Sequence, residues 1–416
     1  MALSESPVPK GIERHISLGR YREAASALAN LLERQPSAPI LIAHASVGLI
    51  LGDLTAAKAS ALKVVEADPQ RHEARFLLAR IRAALDERDA AIADFRAALD
   101  LHLKSNTASP TSSSIPAHLA LHTLEQLAYI EAEQALAQGT LLPVTGLRLD
   151  ETRRQIARTL ASAGVIVPAV ALSADLTRAL AQPPLLIHDE PPPETCLTSR
   201  NDWSAAARDF ADSGGVTCVD DLLSPIALAQ LQRFCLQTTA WRQPNRHGYI
   251  GGLAEHGFFS KLILQIAAEL KAAIPELLAD HHMTYWWGFV YQHQRPGTDI
   301  HADQSDISLN MWLTPDAANL EPGTGGLDIW DADPPANWTF ADYNSGGSYA
   351  IRAHLTSSEA KKRSFAYREN RALLFKGSLF HQTATCRFAE GFANRRRNIT
   401  MLFRRTKPFA AGRQAA

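Results

Sequence analysis

Over roughly the first 180 residues apolar positions recur every three or four residues, the spacing of amphipathic helices, and aromatic side chains are sparse. Beyond about residue 185 this period gives way to short β-branched and aromatic runs separated by Gly, Pro and Asp, the pattern of strands and turns. The pattern predicts an all-helical half joined to a β-rich half.

The helical half is periodic at a longer scale. Setting Gly19–Ala25, Gly52–Lys58 and Asp86–Ile92 beneath one another brings Ala24, Ala57 and Ala91 into register, at steps of 33 and 34 residues. Small residues there let paired helices approach closely, and the Gly opening the first two units suits a tight turn. Pro36 and Pro69 each follow the aligned Ala by 12 residues and end a helix. These units resemble tetratricopeptide repeats, most closely over Ala91–Leu101. Leu41 and Phe76 stand near the position where such repeats carry Trp, and Leu103 replaces the third Pro. The expected organisation is repeats at 1–104, a low-complexity flexible loop at 105–116, further helices packing on the repeats at 117–182 and a Pro-rich linker at 183–200. Repeats imply a surface for a protein or peptide, or a contact for a homodimer.

Residues 201–408 begin with a strand-like run at Gly215–Leu223. Ser224 and Pro225 then read as the cap and first-turn proline of a helix reaching Gln237, and a second helix covers Phe259–Leu278. Strands are expected at Met283–Gln292, Ile300–Leu313, Gly326–Trp330, Tyr349–Ala353, Ala372–Lys376 and Asn398–Phe403. The fold class is therefore α+β multidomain, with helical repeats followed by a closed or double-sheet β core carrying a helical flank.

Candidate chemistry sits in that second half. On a strand, residues two apart share a face, so His301 and Asp303 can present an imidazole and a carboxylate to one point, with His381 reaching it from a neighbouring strand. Two imidazoles and one carboxylate on one face of an octahedron leave three positions open, the arrangement used by non-haem Fe(II) oxygenases. The order HxD, His, Arg along β-like segments resembles the 2-oxoglutarate- and Fe(II)-dependent oxygenases over about residues 215–405. That resemblance implies a double-stranded β-helix, or jelly roll, with His301, Asp303 and His381 ligating Fe(II), and 2-oxoglutarate and O₂ as co-substrates of a hydroxylation.

It also implies a final-strand Arg holding the far carboxylate of 2-oxoglutarate, since a buried carboxylate needs a partner. Aligning on Ile399-Thr400 selects Arg396, with Arg397 as the alternative. Alternation then turns Arg396, Asn398, Thr400 and Leu402 inward, leaving two of the three arginines at 395–397 as a solvated basic edge. Tyr291, Asn310 and Thr400 are further candidates for the co-substrate pocket. Trp286 and Trp287 read as core, and Cys386 as a small buried residue. The aromatic-rich stretch 331–364 suits an insertion over the barrel mouth that selects the substrate.

Composition narrows the setting. The 416 residues carry 42 basic and 43 acidic side chains, a balance unlike that of proteins held to nucleic acid by phosphate attraction. The four cysteines form no CxxC, the N-terminus lacks the basic and apolar regions of a secretory signal, and no stretch approaches a membrane span, so a reducing cytoplasmic setting is expected. Dinucleotide, P-loop, α/β-hydrolase and zincin motifs are absent from the sequence.

Overall fold

A computed structural model describes residues 3–105, 114–134, 139–142, 148–162, 167–295, 297–345 and 348–406. The expected low-complexity loop lies largely outside them. Six helices open the chain: α1 (Lys10–Ser17), α2 (Tyr21–Arg34), α3 (Ala38–Leu51), α4 (Leu54–Ala67), α5 (His72–Ala84) and α6 (Arg88–Ser105). Ala24, Ala57 and Ala91 are all fully buried, as their register requires. A Cβ placed on Gly48 would sit 3.0 Å from that of Ala57, so α3 and α4 touch almost backbone to backbone. The turns opening the first two units use left-handed Gly19 and Gly52, and Asp86 takes that conformation in the third. A small hairpin, β1 (Ser114–Pro116) with β2 (Ala169–Ala171), and helices α7 (Ala117–Glu133), α8 (Leu149–Ala161) and α9 (Ala174–Ala181) complete this half.

The second half contains α10 (Trp203–Asp212), β3 (Val216–Val219), α11 (Pro225–Gln237), β4 (Trp241–Pro244), β5 (Tyr249–Leu253), α12 (Lys261–Ala273), α13 (Pro275–Leu278), β6 (His281–Tyr291) and β7 (Gln294–Arg295). Then follow β8 (Ile307–Trp312), β9 (Leu327–Trp330), α14 (Ser348–Ser357), β10 (Lys362–Phe365), β11 (Ala372–Lys376), β12 (His381–Thr383), β13 (Cys386–Arg387) and β14 (Arg397–Arg405). Ser224 caps α11 through its Oγ, with Pro225 at the first position, as expected. The main sheet runs β3-β11-β8-β14-β6-β5-β4 and the second β10-β9-β12, with β13 paired to β7, all antiparallel.

Alternation along β14 explains how these layers assemble. Ile399, Met401 and Phe403 join the core shared with the helices, whereas Asn398 and Thr400 take the other face. On that face Tyr291, Trp312 and Phe375 of the main sheet pack with Leu327 and Ile329 of the second. Two antiparallel sheets closed on an interior of this kind, flanked by helices on one side, form a double-stranded β-helix.

Two expected strands differ. Tyr349–Ala353 lies in α14, because Ile351 and Leu355, four residues apart, bury one helical stripe against Ile300 and Phe380 while Tyr349 stays exposed. The segment Ile300–Leu313 becomes a strand only at Ile307, the preceding residues forming a loop pinned to β12.

The halves share one core. Phe95 of α6, fully buried, stacks on Phe259 at 5.0 Å between centroids and meets Trp286 of β6 edge-on at 5.5 Å. Phe95→Ala is expected to cost about 3–5 kcal/mol and to lower the denaturant midpoint of repeats and barrel together. Two separate unfolding transitions would contradict this shared core. The Pro-rich segment 183–200 also belongs to the packed body, since the Cys196 and Leu197 amides donate to Glu269 and the Leu186 amide to Thr239 Oγ1.

His282 ties α3 to the barrel: its Nε2–H donates to the Leu49 carbonyl at 2.6 Å, and burial pushes its pKa down to about 4. With a folded value below the unfolded 6.5, the neutral form stabilises the fold above pH 6.5 and that contribution fades as pH falls toward 4. The gap corresponds to about 3 kcal/mol. Melting temperature should therefore drop between pH 6.5 and 4, with a shallower slope in His282→Gln; identical slopes would rule this imidazole out.

Candidate metal centre

His301, Asp303 and His381 converge although the first two lie outside a strand. The His301 amide donates to the His381 carbonyl at 3.0 Å and the His381 amide to the His301 carbonyl at 2.8 Å, a two-way antiparallel pair. The Asp303 amide donates to Gly377 O at 2.7 Å, and the intervening Ala302 amide to Tyr343 O at 3.1 Å. This loop therefore keeps strand-like alternation, and the donor atoms of the three side chains lie within 4.8 Å of one another. Gly377 permits the close approach, because a Cβ there would collide with Ser305.

Hydrogen bonding fixes both tautomers. A carbonyl only accepts, so His301 Nδ1–H donates to Asp299 O at 2.8 Å and His381 Nδ1–H donates to Leu379 O at 2.9 Å. Each Nε2 keeps its lone pair for a metal. Burial, reinforced by the neighbouring His301, pushes the pKa of His381 down to about 4, so its imidazole is neutral at neutral pH. Asp303 Oδ2 accepts from Ser308 Oγ at 2.7 Å, which orients the carboxylate. Two imidazole nitrogens and one buried carboxylate on one side of a cleft are a donor set suited to Fe(II).

A polar row leads away from this point along the barrel interior. Asn310 Nδ2 donates to Thr400 Oγ1 at 3.0 Å, and Asn398 Oδ1 accepts from Arg396 at 2.7 Å. Arg396 is fully buried; its Nε donates to Gly325 O at 2.6 Å, and its guanidinium lies 4.6 Å from the Tyr291 ring centre and 5.8 Å from that of Tyr367. One terminal nitrogen has no partner, and among the described residues no carboxylate pairs with this guanidinium. Asn310 Oδ1 is likewise unpartnered, and Tyr291 OH bonds Thr383 Oγ1 at 3.0 Å. A buried cation short of a partner fits an anionic ligand.

The solvated basic edge expected for the other two arginines is not found. β14 is central, between β8 and β6, so all three are buried. Arg395 pairs with Glu125 of α7 at 2.6 Å, and Arg397 donates both terminal nitrogens to the carbonyls of Phe392, Ala393 and Arg395.

His301 and Asp303 open onto a cleft of ≈ 600 Å³. Trp286 is core, but Trp287, on the opposite face of β6, lines this cleft. From segment 331–364 come Phe340 and Asn344, whose Nδ2 donates to Ala302 O at 3.1 Å. Ile50 of α3 and Arg80 of α5 also line it, contrary to the expectation that the helical half stays clear of the chemistry. Sequence reasoning missed Ser308 as well, whose only signal is its place as the first inward residue of β8.

Residues 72–102 match the family model of the tetratricopeptide repeat. No curated protein matches the chain. Among solved structures, similarity extends to an oxidoreductase of the 2OG-Fe(II) oxygenase family from Burkholderia pseudomallei, at 11% identity and TM-score 0.31, covering 53% of this chain and 95% of that one. HygX from Streptomyces hygroscopicus, with nickel and 2-oxoglutarate bound, matches at 13% identity and TM-score 0.36, over 49% of this chain and 87% of its own. EctD from S. alaskensis, with 2-oxoglutarate and 5-hydroxyectoine, matches at 17% identity and TM-score 0.33, over 53% and 80%. The chain's own strand order and converging HxD and His side chains give a double-stranded β-helix with a candidate metal centre, behind N-terminal helical repeats that include one tetratricopeptide repeat.

Proposed function

We propose that this protein is an Fe(II)- and 2-oxoglutarate-dependent dioxygenase that hydroxylates a substrate held between the repeats and the barrel. The observation that carries this reading is the pairing of a His301–Asp303–His381 donor set with Arg396, a buried guanidinium on the same polar row that lacks an anion. His301, Asp303 and His381 would hold the metal. Iron bound there would supply the redox chemistry by which O₂ and 2-oxoglutarate give one oxygen atom to the substrate and one to succinate, with the 2-oxoglutarate carboxyl lost as CO₂.

Arg396 binds the far carboxylate of 2-oxoglutarate, Tyr291 stacks against that guanidinium, and the Asn310–Thr400 pair offers its unpartnered Oδ1 to the same pocket. Buried aromatic walls at Tyr291, Trp312 and Phe375 keep water from the interior. The repeats favour a protein or peptide substrate held partly by their surface; a second reading, a small molecule, is favoured by a cleft within the volume range of small-ligand pockets. All four cysteines are free thiols, which suits a reducing cytoplasm.

The test is direct. Purified protein is expected to melt at a higher temperature with Fe(II) plus 2-oxoglutarate than with either alone, and to release succinate slowly without substrate. Neither effect would leave a metal-binding repeat adaptor as the better account.

A further inference from the structure

We infer that the substrate is a small molecule bearing a carboxylate, phosphate or sulfate on a flat apolar body, and that Arg80 of the repeats and Arg404 of the barrel bind its anionic group. This rests on the proposed oxygenase only for which end of the ligand meets the metal.

Both guanidiniums line the cleft that holds His301 and Asp303. Arg80 donates from Nε and a terminal nitrogen to Thr284 O, at 3.3 and 3.0 Å, and lies 4.8 Å from the Tyr285 ring centre. Arg404 donates to the carbonyl of Gln304, the residue after Asp303, at 3.0 Å, and lies 5.6 Å from the Tyr21 ring centre. Carbonyls and ring faces hold these two side chains in place without neutralising them. Among the described residues neither has a carboxylate within ion-pair distance, whereas the cleft's third arginine, Arg246, and His247 both face Asp299. Two half-buried cations left uncompensated in a concave site concentrate anions, and a guanidinium pairs with carboxylate, phosphate or sulfate through parallel hydrogen bonds.

The cleft also supplies a surface for the rest of the ligand. Tyr285, Trp287 and Phe289, alternate residues of β6, form an aromatic row with centroids 5.9 and 6.0 Å apart. Trp287 Nε1 has no acceptor. Arg80 sits over one end of this row, and Arg404 is tied to the residue beside the metal ligand, so an anion held there leaves a flat body lying on the rings toward His301. The repeats are part of the same wall, with Tyr21 OH donating to Gln304 Oε1 at 2.7 Å. They would therefore shape substrate choice from inside the cleft. The cleft's ≈ 600 Å³ lies within the range of small-ligand pockets, and the oligoglutamate arm of the test below decides against an acidic peptide.

Saturation-transfer NMR titrations of the metal-free full chain with 2-naphthoate, 2-naphthyl phosphate, neutral 2-naphthamide and an oligoglutamate peptide test this. The expected result is that one or both naphthyl anions bind at least about tenfold more tightly than the amide. Arg80→Gln and Arg404→Gln should each weaken the anion about tenfold and leave the amide unchanged, with Arg80→Lys recovering part of the loss. Should Arg80→Gln melt early, Arg404→Gln and Arg80→Lys carry the comparison. Equal binding of amide and anion, no binding of either anion, insensitivity to both Arg variants, or loss in Arg396→Gln instead would overturn the proposal, as would displacement of the anions by oligoglutamate. Charge-selective binding without succinate formation would sink the oxygenase reading alone; succinate formation without charge selectivity would sink only this one.

Discussion

Asp303→Ala should leave a folded protein that no longer retains iron. Both imidazoles commit their Nδ1 hydrogens to backbone carbonyls and would bind through Nε2, which brings no negative charge, so Asp303 is the one anion of the donor set. Removing it takes away both a ligand and the charge that opposes a divalent cation. Loss of a partner that merely orients a ligand costs 10–100-fold, so loss of the ligand itself should cost on the order of 10³-fold in metal affinity. Ser308→Ala supplies the internal comparison: Asp303 stays, but its Oδ2 loses the 2.7 Å hydrogen bond that fixes it, and about 10–100-fold is expected. Metal content after dialysis and Co(II) titration followed by absorption read both effects without any substrate. Equal metal retention by Asp303→Ala and the parent protein would refute the assignment.

Much of this was legible in the sequence because it is written in local periods. Ala24, Ala57 and Ala91 follow one another at a fixed step because each repeat closes the same helix contact, and a matching step in the chain reports that contact directly. His301 and Asp303 are two residues apart, and the loop that carries them keeps the alternation of a strand, so their shared direction survives the loss of the strand itself. The arginines at 395–397 show where this ends. Alternation alone assigns faces but not environments, and a face turned away from the barrel interior reads as solvent until α7 is seen to cover it with Glu125 and His122. Arg80 was out of reach for the same reason. Nothing within the repeats marks one polar residue of α5 as a wall of a cleft more than two hundred residues downstream; that follows only from how the halves pack, through contacts such as the shared core around Phe95 and the His282 bond to Leu49. Tyr349–Ala353 failed differently, as a five-residue window hides the Ile351–Leu355 spacing that makes the segment helical.

Arg396→Met should change ligand binding and stability in opposite directions. In the ligand-free protein this guanidinium is fully buried, pairs with no carboxylate among the described residues and keeps one terminal nitrogen unpartnered. Replacing such a cation by an apolar side chain of similar length removes a desolvation cost while retaining contact with the Tyr291 and Tyr367 rings, so the melting temperature should hold or rise. Binding of 2-oxoglutarate should collapse, because the far carboxylate would then be buried without a partner. A lone buried charge costs about 3–5 kcal/mol, a loss on the order of 10²–10³-fold in Kd. Arg396→Lys keeps the charge but not the fork or the ring stacking, and should fall between the two. Arg395→Met is the contrasting case: it strands Glu125 of α7, lowers stability, and leaves 2-oxoglutarate affinity near that of the parent. Calorimetric titration of each variant loaded with Mn(II), paired with its melting curve, separates the roles. If Arg396→Met both melted early and bound 2-oxoglutarate normally, Arg396 would be a structural cation, and the search for the co-substrate anchor would move to Arg397 and to the Asn310–Thr400 pair.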